Sequence, residues 1–258
     1  MEGNKTIDLV TFSPTHSSLK LGRSLAVRLG QLNQVYDTTT NKNPLIQRWS
    51  QGDLVLFSFP VYAGRVPSPF LERLGKLEGN GANVVILAVY GNRHYDDSLL
   101  EMGDFLREHG FHVVAGAAFL ARHSYSEKIA GDRPNSADFI AIGDFAQRID
   151  EKLKKALEPV ELPGNRPYRD GMSPSQWAPD TDSRCIQCGI CVVSCPMQII
   201  SPLDPAHIEP IDQCLHCFAC VRNCPQGAKL VDREDFEEIV SKMINSFGQD
   251  EKTPELFL

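Results

Sequence analysis

The runs CIQCGICVVSCP at residues 185–196 and CLHCFACVRNCP at residues 214–225 decide how this chain is read. Each spells C-x2-C-x2-C-x3-C-P, and the second is the first displaced by 29 residues. Together they hold all eight cysteines of the 258-residue sequence: Cys185, Cys188, Cys191 and Cys195, then Cys214, Cys217, Cys220 and Cys224. Such a duplication predicts a module with pseudo-twofold symmetry. Four disulfides would suit a short secreted chain, and no secretory segment is read here. Two structural zinc sites are the other plain reading, but zinc knuckles usually pair C-x2-C motifs across a long spacer. Here a third cysteine follows at once, and Cys-Pro closes each run.

The spacing resembles that of bacterial two-cluster ferredoxins. Three cysteines two residues apart let one tight loop wrap three corners of an iron–sulfide cube, and the fourth sulfur comes from elsewhere. The resemblance implies two [4Fe–4S] clusters in which the fourth cysteine of each run ligates the other cluster. Cys185, Cys188, Cys191 and Cys224 would hold one, and Cys214, Cys217, Cys220 and Cys195 the other. Ile186, Ile190, Val192, Ile199, Leu215, Phe218 and Val221 would keep water from them, and short strands at Ile199-Ile200 and His207–Ile211 would cover them.

Composition bounds the rest. The length allows one large core with a small satellite domain. A net charge of −7 argues against nucleic acid and is compatible with docking on basic faces of redox protein partners. Residues Met1 to Asp8 carry no apolar leader, no run of eighteen apolar residues occurs, and the last residues are not a prenylation box. The expectation is a chain of the reducing cytoplasm without membrane insertion.

The chain opens with an apolar strand, Ile7 to Phe12, feeding the loop Ser13-Pro14-Thr15-His16-Ser17-Ser18 and then a helix whose apolar positions are Leu21, Leu25, Ala26 and Leu29. A loop between a strand's carboxyl end and a helix's amino end favours an anion, because backbone N–H groups and the helix dipole converge there. After a short strand near Val35 to Asp37, the apolar strands Leu54–Phe59 and Val84–Tyr90 break into Pro60-Val61-Tyr62-Ala63-Gly64-Arg65-Val66-Pro67 and Gly91-Asn92-Arg93-His94-Tyr95-Asp96-Asp97. A fifth strand is expected at His112–Leu120, with helices at Ser68–Leu77, Asp97–His109 and Ser136–Leu157. Unbroken apolar strands alternating with helices predict an α/β doubly wound parallel five-stranded sheet. Its ligand would lie at the carboxyl ends of the central strands. Gly79-x-Gly81 precedes a strand instead of opening a helix, so it reads as a turn and not a dinucleotide loop.

Residues 1–158 resemble a flavodoxin-like domain, and with the cysteine module they resemble flavodoxins fused to ferredoxins. The hydroxyl loop is similar to the S/T-x-T-x-x-S/T phosphate cradle of flavodoxins, with His16 where those proteins more often have glycine. The resemblance implies FMN held by Ser13, Thr15, His16, Ser17 and Ser18 at its phosphate. At its ring it implies Pro60, Val61, Tyr62, Gly64, Tyr90, Gly91, Asn92 and Tyr95. Tyr62 and Tyr95 are the candidates for stacking on the flavin, Asn92 for a polar contact at its edge.

Five prolines between Pro159 and Pro179 read as a semi-rigid linker at 159–179 before the small α+β two-cluster ferredoxin-like domain at 180–258. Asp232–Phe247 reads as a helix and Gly248–Leu258 as a frayed tail. The functional expectation is an electron-transfer protein in which FMN adapts one-electron to two-electron redox partners. An FMN-dependent reductase of a quinone or activated alkene, with Tyr95, His94 and His123 as candidate acids, stays open. So does a redox sensor that has lost FMN, a reading His16 permits.

Overall fold

The computed structural model describes residues 5–155, 158–250 and 252–258. The first four residues, and the last turn expected of the fourth helix at 156–157, lie outside them. Five parallel strands, β1 (Thr6–Thr11), β2 (Gln31–Asp37), β3 (Leu54–Pro60), β4 (Asn83–Tyr90) and β5 (His112–Leu120), stand in the order 2-1-3-4-5. This is the flavodoxin-like order. Strands β3, β4 and β5 are almost wholly buried, as their apolar runs require when helices cover both faces.

On one face lie α1 (Ser17–Leu29) and α4 (Ser136–Leu153), which bury Leu21, Leu25, Ile142 and Phe145 against the sheet. On the other lie α2 (Ser68–Arg73) and α3 (Ser98–Glu108), which bury Phe70, Leu99, Met102 and Leu106. Helix α2 is shorter than expected, because Lys76–Glu78 leaves it to pair with Ile46–Arg48. The Gly79 segment is the expected turn, closed by the Ala82 N–H donating to the Gly79 carbonyl.

The five-stranded expectation is corrected by one strand, and the frayed tail is corrected with it. Glu255–Phe257 forms β6, antiparallel on the edge of β5. Phe257 turns to the α2–α3 core, while Leu256 and Leu258 turn to the α1–α4 core, the period of two that a strand imposes. An unpaired β5 would leave a row of open backbone groups, and β6 covers that edge.

The cysteine module repeats its own backbone. Left-handed residues fall at Gln187 and His216, Gly189 and Phe218, and Gln198 and Gly227, each pair separated by the repeat length. Short helices α5 (Ile190–Ser194) and α6 (Ala219–Arg222) follow each tight loop. Ile200–Ser201 pairs with Asp204–Ile208 near the expected hairpin, and Asp180–Thr181 pairs with Lys229–Leu230. Helix α7 (Glu234–Met243) places Glu234, Asp235 and Glu237 in its first turn, where the dipole favours acids, and runs on into a wider turn at Ile244–Gly248.

The proline-rich segment is corrected from a spacer to a packed strap. Val160 and Leu162 are buried in the α2–α3 core. Leu162 lies over Gly103 and Gly116, where an added Cβ would stand 2.4 and 2.5 Å from its methyl carbons. Asp97 accepts the Asn165 and Arg169 N–H groups, and Asp104 accepts from Tyr168 and Arg166. With β6 returning to the first domain's sheet, the division at 159–179 does not separate two independent units. Leu162→Ala is therefore expected to destabilise the protein by about 2 to 5 kcal/mol, the range for a buried Leu→Ala change. Chemical denaturation followed by circular dichroism checks this, and a cost near zero would return the segment to the status of a spacer.

Candidate functional site

All eight cysteines are free, and they surround two cavities. One is lined by Cys214, Cys217, Cys220 and Cys195, with Ile199, Ile200 and Ile208 around them. The other is lined by Cys185, Cys188, Cys191 and Cys224. The fourth cysteine of each run thus crosses to the other set, because α5 and α6 carry the chain away from the loop that precedes them. Among the described residues, no three His, Cys, Asp or Glu side chains converge as the ligands of a single ion. Four sulfurs set around each cavity are a donor set that suits an iron–sulfur cluster.

Electrostatics agree with that donor set. Burial pushes the Cys217 thiol well above its ordinary range, and it pushes Cys220 up to about 12, with Cys214 and Cys195 adding to the effect. Thiolates in this cage therefore require a cationic centre, which an iron–sulfide core supplies. At Cys224 burial also opposes ionisation, but N–H groups of Lys229, Ala228, Gln226 and Gly227 outweigh it and bring the thiol below its usual value. The Ala228 N–H donates to Cys224 Sγ at 3.2 Å. Cys188 is exposed, so the first-run cage is the outer one; Cys217 and Cys220 are buried, and their cage is the inner one.

A third cavity, of about 360 Å³, opens at the carboxyl ends of the parallel strands. Its size falls within the range of ligand pockets. The loop after β1 and the first turn of α1 contribute Ser13, Thr15, Ser17 and Ser18. Ser13 Oγ accepts the Leu19 N–H at 3.0 Å, and the Ser13 N–H donates to Thr39 Oγ1 at 2.7 Å, which fixes the loop. Thr15, Ser17 and Ser18 line the cavity with hydroxyl-bearing side chains. Pro60, Val61, Tyr62 and Gly64 follow from the loop after β3, and Tyr90 and Gly91 from β4 and its end. Gly64 has φ +81°, a left-handed conformation that glycine tolerates. A Cβ on Gly91 would stand 2.6 Å from the His123 ring.

Three of the expected contacts do not line this cavity. His16 is exposed, held in a left-handed turn at φ 65° in front of α1. Asn92 is buried beneath the C-terminal segment, its Nδ2 donating to the Phe247 carbonyl at 2.6 Å and the Asp250 carbonyl at 3.0 Å. Tyr95 is in the core with its hydroxyl donating to Glu255 at 2.9 Å, and His94, stacked on it with centroids 4.6 Å apart, lines the cavity in its place.

Other walls come from distant parts of the chain: His123 and Tyr125 after β5, Met243 and Phe247 from α7 and its end, and Leu215 and His216 from the second cysteine run. Burial lowers the His123 pKa to about 4, so its ring is neutral. Its Nδ1 accepts the Tyr125 N–H at 3.1 Å, which leaves the proton on Nε2. His94 is lowered by burial as well, and its Nδ1 accepts the Asp96 N–H at 2.8 Å. Leu215 and His216 line both this cavity and the inner cage. The His216 ring is stacked on Trp177 with centroids 3.8 Å apart, and its Nε2 lies 2.7 Å from Ser175 Oγ.

Residues 184–229 match the 4Fe-4S dicluster domain. No curated protein matches the chain. Among solved structures, a Streptococcus pneumoniae flavodoxin is 17% identical over 57% of this chain and 99% of its own, with a TM-score of 0.39. A flavodoxin from the domain Archaea is 9% identical over 58% of this chain and 99% of its own, with a TM-score of 0.38. A Fusobacterium nucleatum flavodoxin variant bound to flavin mononucleotide is 14% identical over 58% of this chain and 97% of its own, with a TM-score of 0.39. The strand order and the cysteine module define the class: a flavodoxin-like α/β fold carrying a 4Fe–4S domain, with a redox function. No helix among the described residues is long and apolar enough to cross a membrane.

The crossed cages make a prediction. Cys195→Ala should lower the iron bound with Cys214, Cys217 and Cys220 and spare the outer centre, as electron paramagnetic resonance of the reduced protein can report. Loss confined to the outer centre would contradict the crossing.

Proposed function

We propose that the chain is an electron-transfer flavoprotein in which FMN occupies the cavity at the sheet's carboxyl edge and exchanges electrons with two [4Fe–4S] clusters. The observation that carries this reading is the double role of Leu215 and His216, which form a wall shared by the cavity and the inner cage. Thr15, Ser17 and Ser18 would hold the phosphate with hydroxyl donors at the amino end of α1, without a charged side chain in the loop. Tyr62, Tyr90 and Tyr125 would enclose the ring and exclude water. Bound there, FMN supplies a centre that takes one or two electrons, and the clusters pass them singly.

The residues then set an order: outer cage, inner cage, cavity. Ile186 stands in solvent in the first run and lines the outer cage with exposed Cys188, where it would offer a redox protein partner an apolar contact. Neutral His94 and His123 carry N–H protons at the cavity wall, where they can donate hydrogen bonds. The hydroxyl loop faces the cavity despite His16, which supports FMN retention over the sensor reading. A reducing compartment such as the cytoplasm would keep the eight thiols available.

Protein isolated without oxygen is expected to carry about eight irons and eight acid-labile sulfides per chain, as two cubanes require. Released flavin should be FMN. Zinc without labile sulfide would end the cluster reading. Thr15→Ala should weaken FMN binding about ten- to a hundredfold, because a hydrogen bond to a charged group contributes roughly 1.5 to 3 kcal/mol. Equilibrium titration of reconstituted protein measures it, and unchanged affinity would remove the phosphate assignment.

A further inference from the structure

Arg73, in the last turn of α2, is buried, and no carboxylate among the described residues forms an ion pair with it. Its Nη1 donates to the carbonyls of Thr38 at 2.6 Å and Thr39 at 2.7 Å, and its Nη2 donates to the carbonyl of Pro196 at 2.5 Å. The guanidinium carbon also lies 5.5 Å from the centre of the Phe12 ring. A buried cation whose only hydrogen-bond partners are neutral carbonyls is costly unless a negative charge lies near it. Pro196 follows Cys195 and lines the inner cage; burial disfavours the Arg73 charge, and Glu72 and, after it, Cys195 act electrostatically to favour it.

The outer cage has a comparable cation within its own module. Lys229 is buried, lines that cavity, and donates to the Ala206 carbonyl at 2.9 Å. Lys229 also acts on Cys220 of the inner cage, and that cage receives a further cation, Arg73, from the α/β domain. The same guanidinium grips Thr39, whose hydroxyl accepts the Ser13 N–H at the head of the hydroxyl loop.

We propose that Arg73 is a positioning residue for the inner cluster: its charge raises that cluster's reduction potential, and its hydrogen bonds tie Cys195-Pro196 to the segment that braces the hydroxyl loop. This rests on the two-cluster reading. A cluster with four thiolate ligands carries net negative charge, and reduction adds to it. A fixed cation beside it therefore favours the reduced state, and low local dielectric strengthens the effect. Because Arg73 belongs to the other domain, part of the inner cluster's potential depends on how that domain docks.

Three full-length variants separate charge from packing when potentials are titrated anaerobically with paramagnetic resonance detection. Arg73→Gln should move the inner cluster's midpoint to more negative potential and leave the outer one in place. Arg73→Lys, which keeps the charge and loses the fork, should stay closer to the parent than Arg73→Gln does. Gln198→Leu, which removes the neighbouring domain contact from Gln198 Nε2 to the Thr40 carbonyl (2.6 Å) without changing charge, should leave both potentials unchanged. Two intact clusters with no shift in Arg73→Gln, or a shift of equal size in Gln198→Leu, would overturn the proposal. Should Arg73→Gln fail to assemble the inner cluster, assembly in Arg73→Lys would support the charge role, and failure there with the outer cluster intact would refute it. Iron and sulfide contents of the parent protein too low for two clusters would instead refute the two-cluster reading itself.

Discussion

Each thiolate cage is closed by a cysteine from the opposite repeat. Cys195 leaves its own loop at the end of α5 and joins Cys214, Cys217 and Cys220, while Cys224 leaves at the end of α6 and joins Cys185, Cys188 and Cys191. Neither repeat can complete a site alone, so the symmetry of the backbone and the symmetry of the ligands are one constraint. The left-handed residues recurring at the repeat spacing are its local expression, since three sulfurs two residues apart can face one centre only if the loop turns tightly.

The inner cage is further constrained by what it leans on. Arg73 and Gln198 fasten the first run to the α/β domain, and Tyr125, Trp177, Phe218 and Phe236 pack together beside it. At the cavity's opposite wall the C-terminal segment is held by Asn92 through the Phe247 and Asp250 carbonyls, by Arg133 through the Lys252 carbonyl, and by β6. Met243 and Phe247 are thereby kept over the cavity. The segment after α7 returns to the first module's sheet, and the two modules line one space.

The 4Fe–4S module was legible because it depends on spacing within a few residues and on a repeat that resembles a known family. The parallel sheet was legible for a similar reason: buried strands such as Leu54–Phe59 and Val84–Tyr90 carry their burial in composition. The cavity contacts were only partly legible. Asn92 and Tyr95 occupy the expected loop, but their side chains turn to partners 155 to 160 residues away, in a segment whose strand is three residues long. The apolar run Leu256-Phe257-Leu258 was the available signal for that strand, and it is short enough to read as a tail. Leu215 and His216 lie between cysteines, and nothing local to them announces that they also face the cavity.

The order of outer cage, inner cage and cavity is the centre of this account, and iron-edge anomalous scattering from crystals of protein prepared without oxygen tests it most directly. Two iron centres are expected, one within the ring of Cys195, Cys214, Cys217 and Cys220 against the Leu215–His216 wall, the other within Cys185, Cys188, Cys191 and Cys224 and farther from the cavity. A single iron centre, a signal at the zinc edge in its place, or an arrangement with the first-run centre nearer the cavity would contradict it.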